Sequence, residues 1–173
     1  VEVATFRSDG VYEDGRHPES VTFSDERSDA ARRDFTINAI FEDPTTGTLI
    51  DYFDGAADLE RRLLRAVGDP LERIREDHLR ALRAVRFTAR FDLEIDPPTA
   101  QAIRSTAGDL EGVSRERIGG ELRRMLRDPS RVRAMMLLEE LGMDAPVLLE
   151  TTIRSIEQSG LHALGRGERP PIH

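Results

Sequence analysis

The chain has 173 residues, 38% of them hydrophobic and 34% charged, with a net charge of −8. This is the make-up of a folded chain with a charged surface rather than a disordered one. There is no cysteine, which excludes disulfides and thiolate metal sites, and no apolar run reaches the length of a membrane span.

The charge is uneven. Residues 1–60 carry 15 acidic and 5 basic side chains, against 18 and 20 in residues 61–173, and every cation is an arginine. Arginine forks pair with phosphates in a bidentate way that lysine cannot match. An acidic part beside an arginine-rich part suggests cation chemistry in one place and phosphate chemistry in another. A pI near 5.1 argues against wholesale coating of nucleic acid. Absence of cysteine and of a visible signal peptide fits a cytoplasmic protein. The start at Val1 fits a piece of something longer.

In chain order, residues 1–55 read as β. "VEVATFR" alternates with period 2, "SDGVYEDGRHPES" is rich in turn residues, and "FTINAIFE" and "TLIDYF" are short strands joined by "DPTTG" as a hairpin. From residue 56 the period becomes 3.6. "DLERRLLRAV" predicts a helix closed by Gly68, and "DPLERIREDHLRALRAVRFTARF" a single helix with Asp69 as N-cap and Pro70 at its first position. "DPPTAQAIRSTA" begins a third helix. "SRERIGGELRRMLRD" begins a fourth behind Ser114, with Arg117 and Glu121 at i,i+4. "PSRVRAMMLLEELGM" predicts a fifth, ended by Gly142, and residues 146–173 hold one weak helix and a loose tail. The expected class is α+β: a small β piece, then an all-helical piece.

Two charged clusters stand out. On a helix, Asp77, Arg80, Arg83 and Arg86 recur every three residues, with Leu79, Leu82 and Val85 as a parallel apolar row. One reading is a solvated face laced with pairs such as Glu76–Arg80 and Asp77–Arg80. The other is a carboxylate and an arginine presenting acceptor and donor to the edge of a base, with further arginines taking phosphates. In "RRDF", Arg32, Arg33 and Asp34 abut a buried strand end, where charge is costly unless paired. Either Asp34 pairs with a neighbouring arginine, or the strand end lines a cleft. Glu2 is a lone carboxylate on a strand, and His17, His78, His162 and His173 show no metal-ligand spacing.

Taken in order, "VEVATFR", "DGRHPESVTF", "DAARRDFTINAIF", "IDYFDGAADL", "REDHLRALRAVRF" and "SRERIGGELRRML" resemble the tRNA nucleotidyltransferase and poly(A) polymerase family. They resemble, respectively, the strand after its catalytic signature, its mobile loop and next strand, its ribose-recognising motif, its hinge, its nucleotide-recognising helix and the motif that steadies its neck. The likeness runs over roughly residues 1–145 and implies roles residue by residue. Arg33 would contact the triphosphate and Asp34 the ribose 2′-hydroxyl. Glu76, Asp77 and Arg80 would read the base edge, with Arg83 and Arg86 supporting the pocket and the phosphates. Asp51, Gly55 and Asp58 would form the hinge, and Glu2 would be a third carboxylate near the metals.

The resemblance implies a partial nucleotidyltransferase head over 1–55, a helical neck over 56–145, and a further helical region or tail over 146–173. It also implies magnesium, ATP and CTP as substrates, and a tRNA or other RNA 3′ end as partner. The family's Gly-Gly and Asp-x-Asp signature is absent from the chain and expected before Val1, so the chain alone is expected to be inactive. His78 stands where the family often has proline. A poly(A) polymerase, a non-catalytic nucleotide- or RNA-binding module and a purely structural helical domain are the alternatives.

Overall fold

Asp25 caps a short helix, its carboxylate accepting from the Ser28 N–H at 2.8 Å. The computed structural model describes residues 7–9, 21–23 and 25–148. Strands β1 (Arg7–Asp9) and β2 (Val21–Phe23) pair antiparallel. Helix α1 (Glu26–Ala31) and a 3₁₀ turn (Thr36–Asn38) come before the hairpin of β3 (Ile40–Glu42) and β4 (Leu49–Asp51). Then follow α2 (Gly55–Glu60), β5 (Leu63–Leu64), α3 (Pro70–Glu76) and α4 (Leu79–Phe91). Strand β6 (Glu94–Ile95), α5 (Pro97–Thr106), a 3₁₀ turn (Ala107–Gly112), α6 (Arg115–Arg127), α7 (Arg131–Glu140) and α8 (Asp144–Leu148) complete the described chain.

Local signals place most of these ends. Asp69 accepts from the Glu72 N–H at 2.9 Å with Pro70 at the first position of α3. Asp96 caps α5 at 3.3 Å and Ser114 caps α6 at 3.4 Å. Gly142, at φ +70°, ends α7. The row Leu79, Leu82 and Val85 faces the core as expected, beside Ile74, Ile103, Leu110, Ile118, Met125 and Leu138. Burying each of these large side chains contributes about 1.5–3 kcal/mol.

Four expectations need correction. The stretch read as β also holds α1 and the 3₁₀ turn of "TIN". The helix expected to run to Gly68 stops at Glu60, where Arg62 takes a left-handed conformation at φ 58° and turns the chain into β5. That strand pairs in parallel with β6, Leu63 opposite Glu94. The long helix from residue 70 is two helices, because Asp77 is extended (φ −153°, ψ 102°). Its carboxylate accepts from the Leu79 N–H at 3.1 Å and so restarts the chain as α4. A short acidic side chain that competes for backbone N–H groups favours this break over continuation. Finally, Arg117 does not pair with Glu121. Of "VEVATFR", only Arg7 is among the described residues, and the tail beyond residue 148 and Glu2 lie outside them.

Two apolar clusters organise the molecule. The larger unites the helices with Phe35 and Leu64; the smaller gathers Ala30, Ala39 and Val67 under Phe41, Tyr52 and Phe53. Phe35 packs edge-on against Phe87 of α4, centroids 6.0 Å apart. The backbone N–H of Thr36 donates to the Arg65 carbonyl at 3.0 Å, and that of Val67 to the Asp34 carbonyl at 3.2 Å. Phe35 thus anchors the "RRDF" stretch in the helical core and holds its charges beside α4.

Candidate nucleotide-recognition site

Asp34 is 7% exposed, and three donors meet its carboxylate. Its Oδ1 accepts from the Phe35 N–H at 3.0 Å and from Asn38 Nδ2 at 2.8 Å. Its Oδ2 accepts from Arg83 Nε at 2.6 Å. A buried carboxylate with three donors is a stable arrangement where an unpaired one would not be. Arg33 lies over the Phe41 ring at 5.4 Å and donates through Nε and Nη2 to Asp29 Oδ2 at 3.1 and 2.8 Å. Asp29 also accepts from Arg32 Nε at 2.9 Å. Burial pushes the Asp29 carboxyl up, but the hydrogen bonds from Arg33 and Arg32 outweigh it and hold it below the usual carboxylate range.

The break between α3 and α4 brings the second cluster to the same place. Glu76 Oε2 accepts from Arg80 Nη1 at 2.6 Å and from Arg73 Nη1 at 2.9 Å. Arg80 also donates to the Arg73 carbonyl at 2.6 Å and reaches the Arg32 carbonyl at 3.5 Å. Arg73 in turn donates to the Ala31 and Val67 carbonyls at 2.8 and 3.2 Å. A polar network of Glu76, Arg73 and Arg80 therefore meets the "RRDF" stretch at the Arg32 carbonyl, and Arg83 meets the same stretch two residues on at Asp34. Asp77 does not pair with Arg80; its Oδ2 accepts from Arg117 Nη2 of α6 at 2.7 Å. Arg83 and Arg86 both lie against Phe87, at 5.7 and 4.2 Å from its centroid.

Arg86 is not joined to that network. It donates through Nε to Glu121 Oε2 at 2.7 Å, and Glu121 is only 1% exposed. Asp51, Gly55 and Asp58 stand apart as well, at the junction of β4 and α2. Asp51 Oδ1 accepts from the Phe53 and Gly55 N–H groups at 3.2 and 3.0 Å, and Oδ2 from the Ala56 N–H at 2.9 Å. Burial pushes its carboxyl up, and the backbone donors, Ala56 first, together bring it below the usual range. Asp58 is buried, accepting from Thr36 Oγ1 at 2.7 Å and Arg65 Nε at 2.9 Å. A Cβ on Gly55 would sit 2.2 Å from the Thr36 carbonyl oxygen, so the close approach requires glycine.

Several participants escaped the sequence reading: Asp29, Asn38, Arg73, Arg117 as the partner of Asp77, and Glu121 as the partner of Arg86. Asp29 was accessible in principle, standing three and four residues before Arg32 and Arg33, the spacing of helix neighbours. The contacts of Arg117 and Glu121 span 40 and 35 residues and have no local signature. Among the described residues, no three His, Asp or Glu side chains are placed to hold a metal ion.

Residues 1–65 match the family model described as the Poly A polymerase head domain. Residues 92–154 match that of a probable RNA and SrmB-binding site of polymerase A. The chain is 47% identical over 145 residues to the CCA-adding enzyme of Geobacillus stearothermophilus, covering 83% of this chain and 36% of that protein. It superposes on a crystal structure of the Bacillus stearothermophilus CCA-adding enzyme in complex with CTP with a TM-score of 0.73, at 41% identity over 82% of this chain and 34% of the other. A CCA-adding enzyme complex with ATP matches with a TM-score of 0.65 and 30% identity, over 69% of this chain and 29% of that one. The chain spans about a third of the length of the relatives it matches. Two family models in the right order, these identities and the shared fold agree: the chain belongs to the tRNA nucleotidyltransferase and poly(A) polymerase family.

Proposed function

We propose that the chain is the nucleotide-reading part of a template-independent RNA nucleotidyltransferase that adds C and A residues, as CCA, to tRNA 3′ ends from CTP and ATP. The observation that carries this reading is the convergence of two polar groups on the "RRDF" stretch, Glu76–Arg80 at the Arg32 carbonyl and Arg83 at Asp34, on either side of Arg33 in sequence. Cytosine and adenine each present an amino donor beside a ring-nitrogen acceptor on the Watson–Crick edge, whereas uracil and guanine present the reverse. A fixed carboxylate with a fixed arginine suits the first pair and opposes the second. Glu76, Asp77 and Arg80 would read that edge, and Arg33 would meet the triphosphate. Asp34 would accept from the ribose 2′-hydroxyl on the lone pair that Arg83 leaves open. Arg83 would hold Asp34 in place, and Arg86 would support the same helix from behind through Glu121.

Residues 1–55 would be the rear of the catalytic head and 56–145 the neck, with Asp51, Gly55 and Asp58 as the seat on which one turns against the other. In the reaction, the RNA 3′-oxygen bonds to the α-phosphorus of the nucleotide as the bond to the β-phosphate oxygen breaks and pyrophosphate leaves. Magnesium is part of this reaction, but the described residues do not build a site for it. They supply binding and orientation. The proposed setting is the cytoplasm; among the described residues no helix is long and apolar enough to cross a membrane.

The test uses the full-length protein with magnesium and each labelled nucleoside triphosphate, on a tRNA lacking its CCA and on an unstructured RNA. Addition of two C and one A to the tRNA establishes CCA addition. Long A tails on both RNAs instead establish a poly(A) polymerase. Nucleotide binding without incorporation points to a non-catalytic module. Unchanged nucleotide affinity in Arg80→Ala overturns the base-reading assignment.

A further inference from the structure

Arg73 lies in neither of the segments matched by the two family models, residues 1–65 and 92–154, yet its guanidinium touches three parts of the chain at once. Nη2 donates to the Ala31 carbonyl at 2.8 Å, Nε to the Val67 carbonyl at 3.2 Å and Nη1 to Glu76 Oε2 at 2.9 Å. Ala31 stands two residues before Arg33. The Val67 N–H in turn donates to the Asp34 carbonyl at 3.2 Å. One side chain of α3 therefore holds the backbone on both flanks of Arg33 and Asp34 and grips Glu76 as well. The Arg73 carbonyl accepts from Arg80 Nη1 at 2.6 Å, so the second arginine on Glu76 is tied to the same residue.

The two oxygens of Glu76 are unequal. Oε2 takes both Arg73 and Arg80, whereas no donor among the described residues meets Oε1. The Arg73 side chain is 16% exposed and that of Glu76 47%, so the grip is sheltered while the carboxylate faces out. Two donors on one oxygen keep the carboxylate from turning and present Oε1 as a fixed acceptor. An amino donor on cytosine or adenine suits that acceptor, and the carbonyl oxygen that uracil or guanine sets in the same place is repelled by it. A rigid guanidinium fork can hold three acceptors in fixed directions, which a lysine ammonium on its flexible stem does not reproduce.

We propose that Arg73 is a positioning residue for nucleotide selection: it aims Glu76 Oε1 at the amino group of the base and holds that carboxylate in register with Arg33 and Asp34. Arg73 itself touches no substrate in this role. The inference rests on the function proposed above and adds the residue that links its base-reading part to its ribose- and phosphate-contacting part. A small misplacement of either part relative to the other is costly, because selection requires base and phosphates to be held together.

The experiment uses the full-length protein with magnesium and a tRNA lacking its CCA. Wild type, Arg73→Lys, Glu76→Gln and the double variant are compared for kcat/KM with CTP and with UTP, and for Tm. Arg73→Lys is expected to raise KM for CTP and to reduce the preference for CTP over UTP about 10-fold, the scale of one hydrogen bond to a charged group. Added to Glu76→Gln, it is expected to reduce that preference no further, because the two residues act as one unit. A wild-type preference retained in Arg73→Lys, whatever its Tm, makes Arg73 a stabilising residue and overturns the role. A loss that adds fully to that of Glu76→Gln overturns it too. Where Arg73→Lys does not fold, Arg73→Gln carries the same comparison, and failure of both to fold assigns Arg73 to stability and overturns the role. Wild type with no preference for CTP over UTP sinks the functional reading and this inference together.

Discussion

Arg83 and Asp34 stand 49 residues apart in sequence and are joined by a 2.6 Å hydrogen-bonded ion pair at the edge of the helical core. The pair fixes the one carboxylate of the "RRDF" stretch against α4. If Asp34 reads the ribose, Asp34→Ala in the full-length protein should reduce the preference for ribo- over deoxyribonucleotides by about 10- to 100-fold. That is the expected value of one hydrogen bond to a charged group. Steady-state incorporation of CTP against dCTP measures it, and an unchanged ratio removes the role.

Arg86 and Glu121 make a different kind of pair. Glu121 is 1% exposed and Arg86 13%, so truncation strands a buried carboxylate that Arg124 only half compensates. Arg86→Ala is expected to cost about 3 kcal/mol in urea unfolding, near the lower end for a broken buried pair. Arg86→Met combined with Glu121→Leu should recover most of that loss, because the stranded charge is then gone. A double variant no more stable than the single one contradicts the argument.

Gly55 is set against backbone rather than against a movable side chain. With a Cβ forced to 2.2 Å from the Thr36 carbonyl oxygen, the start of α2 has to shift. Gly55→Ala should lower stability by about 3 kcal/mol, the upper part of the usual range for overpacking. The substitution should also loosen the hydrogen bond from the Thr36 N–H to the Arg65 carbonyl, which exchange of the Thr36 amide would reveal. Only accelerated exchange agrees with the geometry.

Asp51 gives a pH dependence. Its folded carboxyl lies below the usual value near 3.8. The ionised form is thus favoured in the folded state, and its stabilisation is present above that value. It is lost as pH falls through the lower, folded value. Wild type should therefore exceed Asp51→Asn in stability at pH 5 to 7, with the gap closing as pH falls below 3.8. Denaturant unfolding across that range tests it, and a gap independent of pH assigns the difference to shape rather than charge.

The residues themselves marked the helix starts at Asp69, Asp96 and Ser114, the stop at Gly142 and the buried row Leu79, Leu82 and Val85. Each is a local rule: a cap reaches three residues, and a core face repeats every three or four. The motif order likewise pointed to the family. Tertiary structure alone decided the parallel pairing of Leu63–Leu64 with Glu94–Ile95 and which carboxylate each arginine took. Asp77 prefers Arg117 to Arg80, and Arg86 prefers Glu121, because an arginine's long side chain can reach several acceptors. Burial settles the choice by making an unpaired carboxylate costly, and burial depends on how distant helices pack. That is why the presence of a charged site was legible in sequence while its wiring was not.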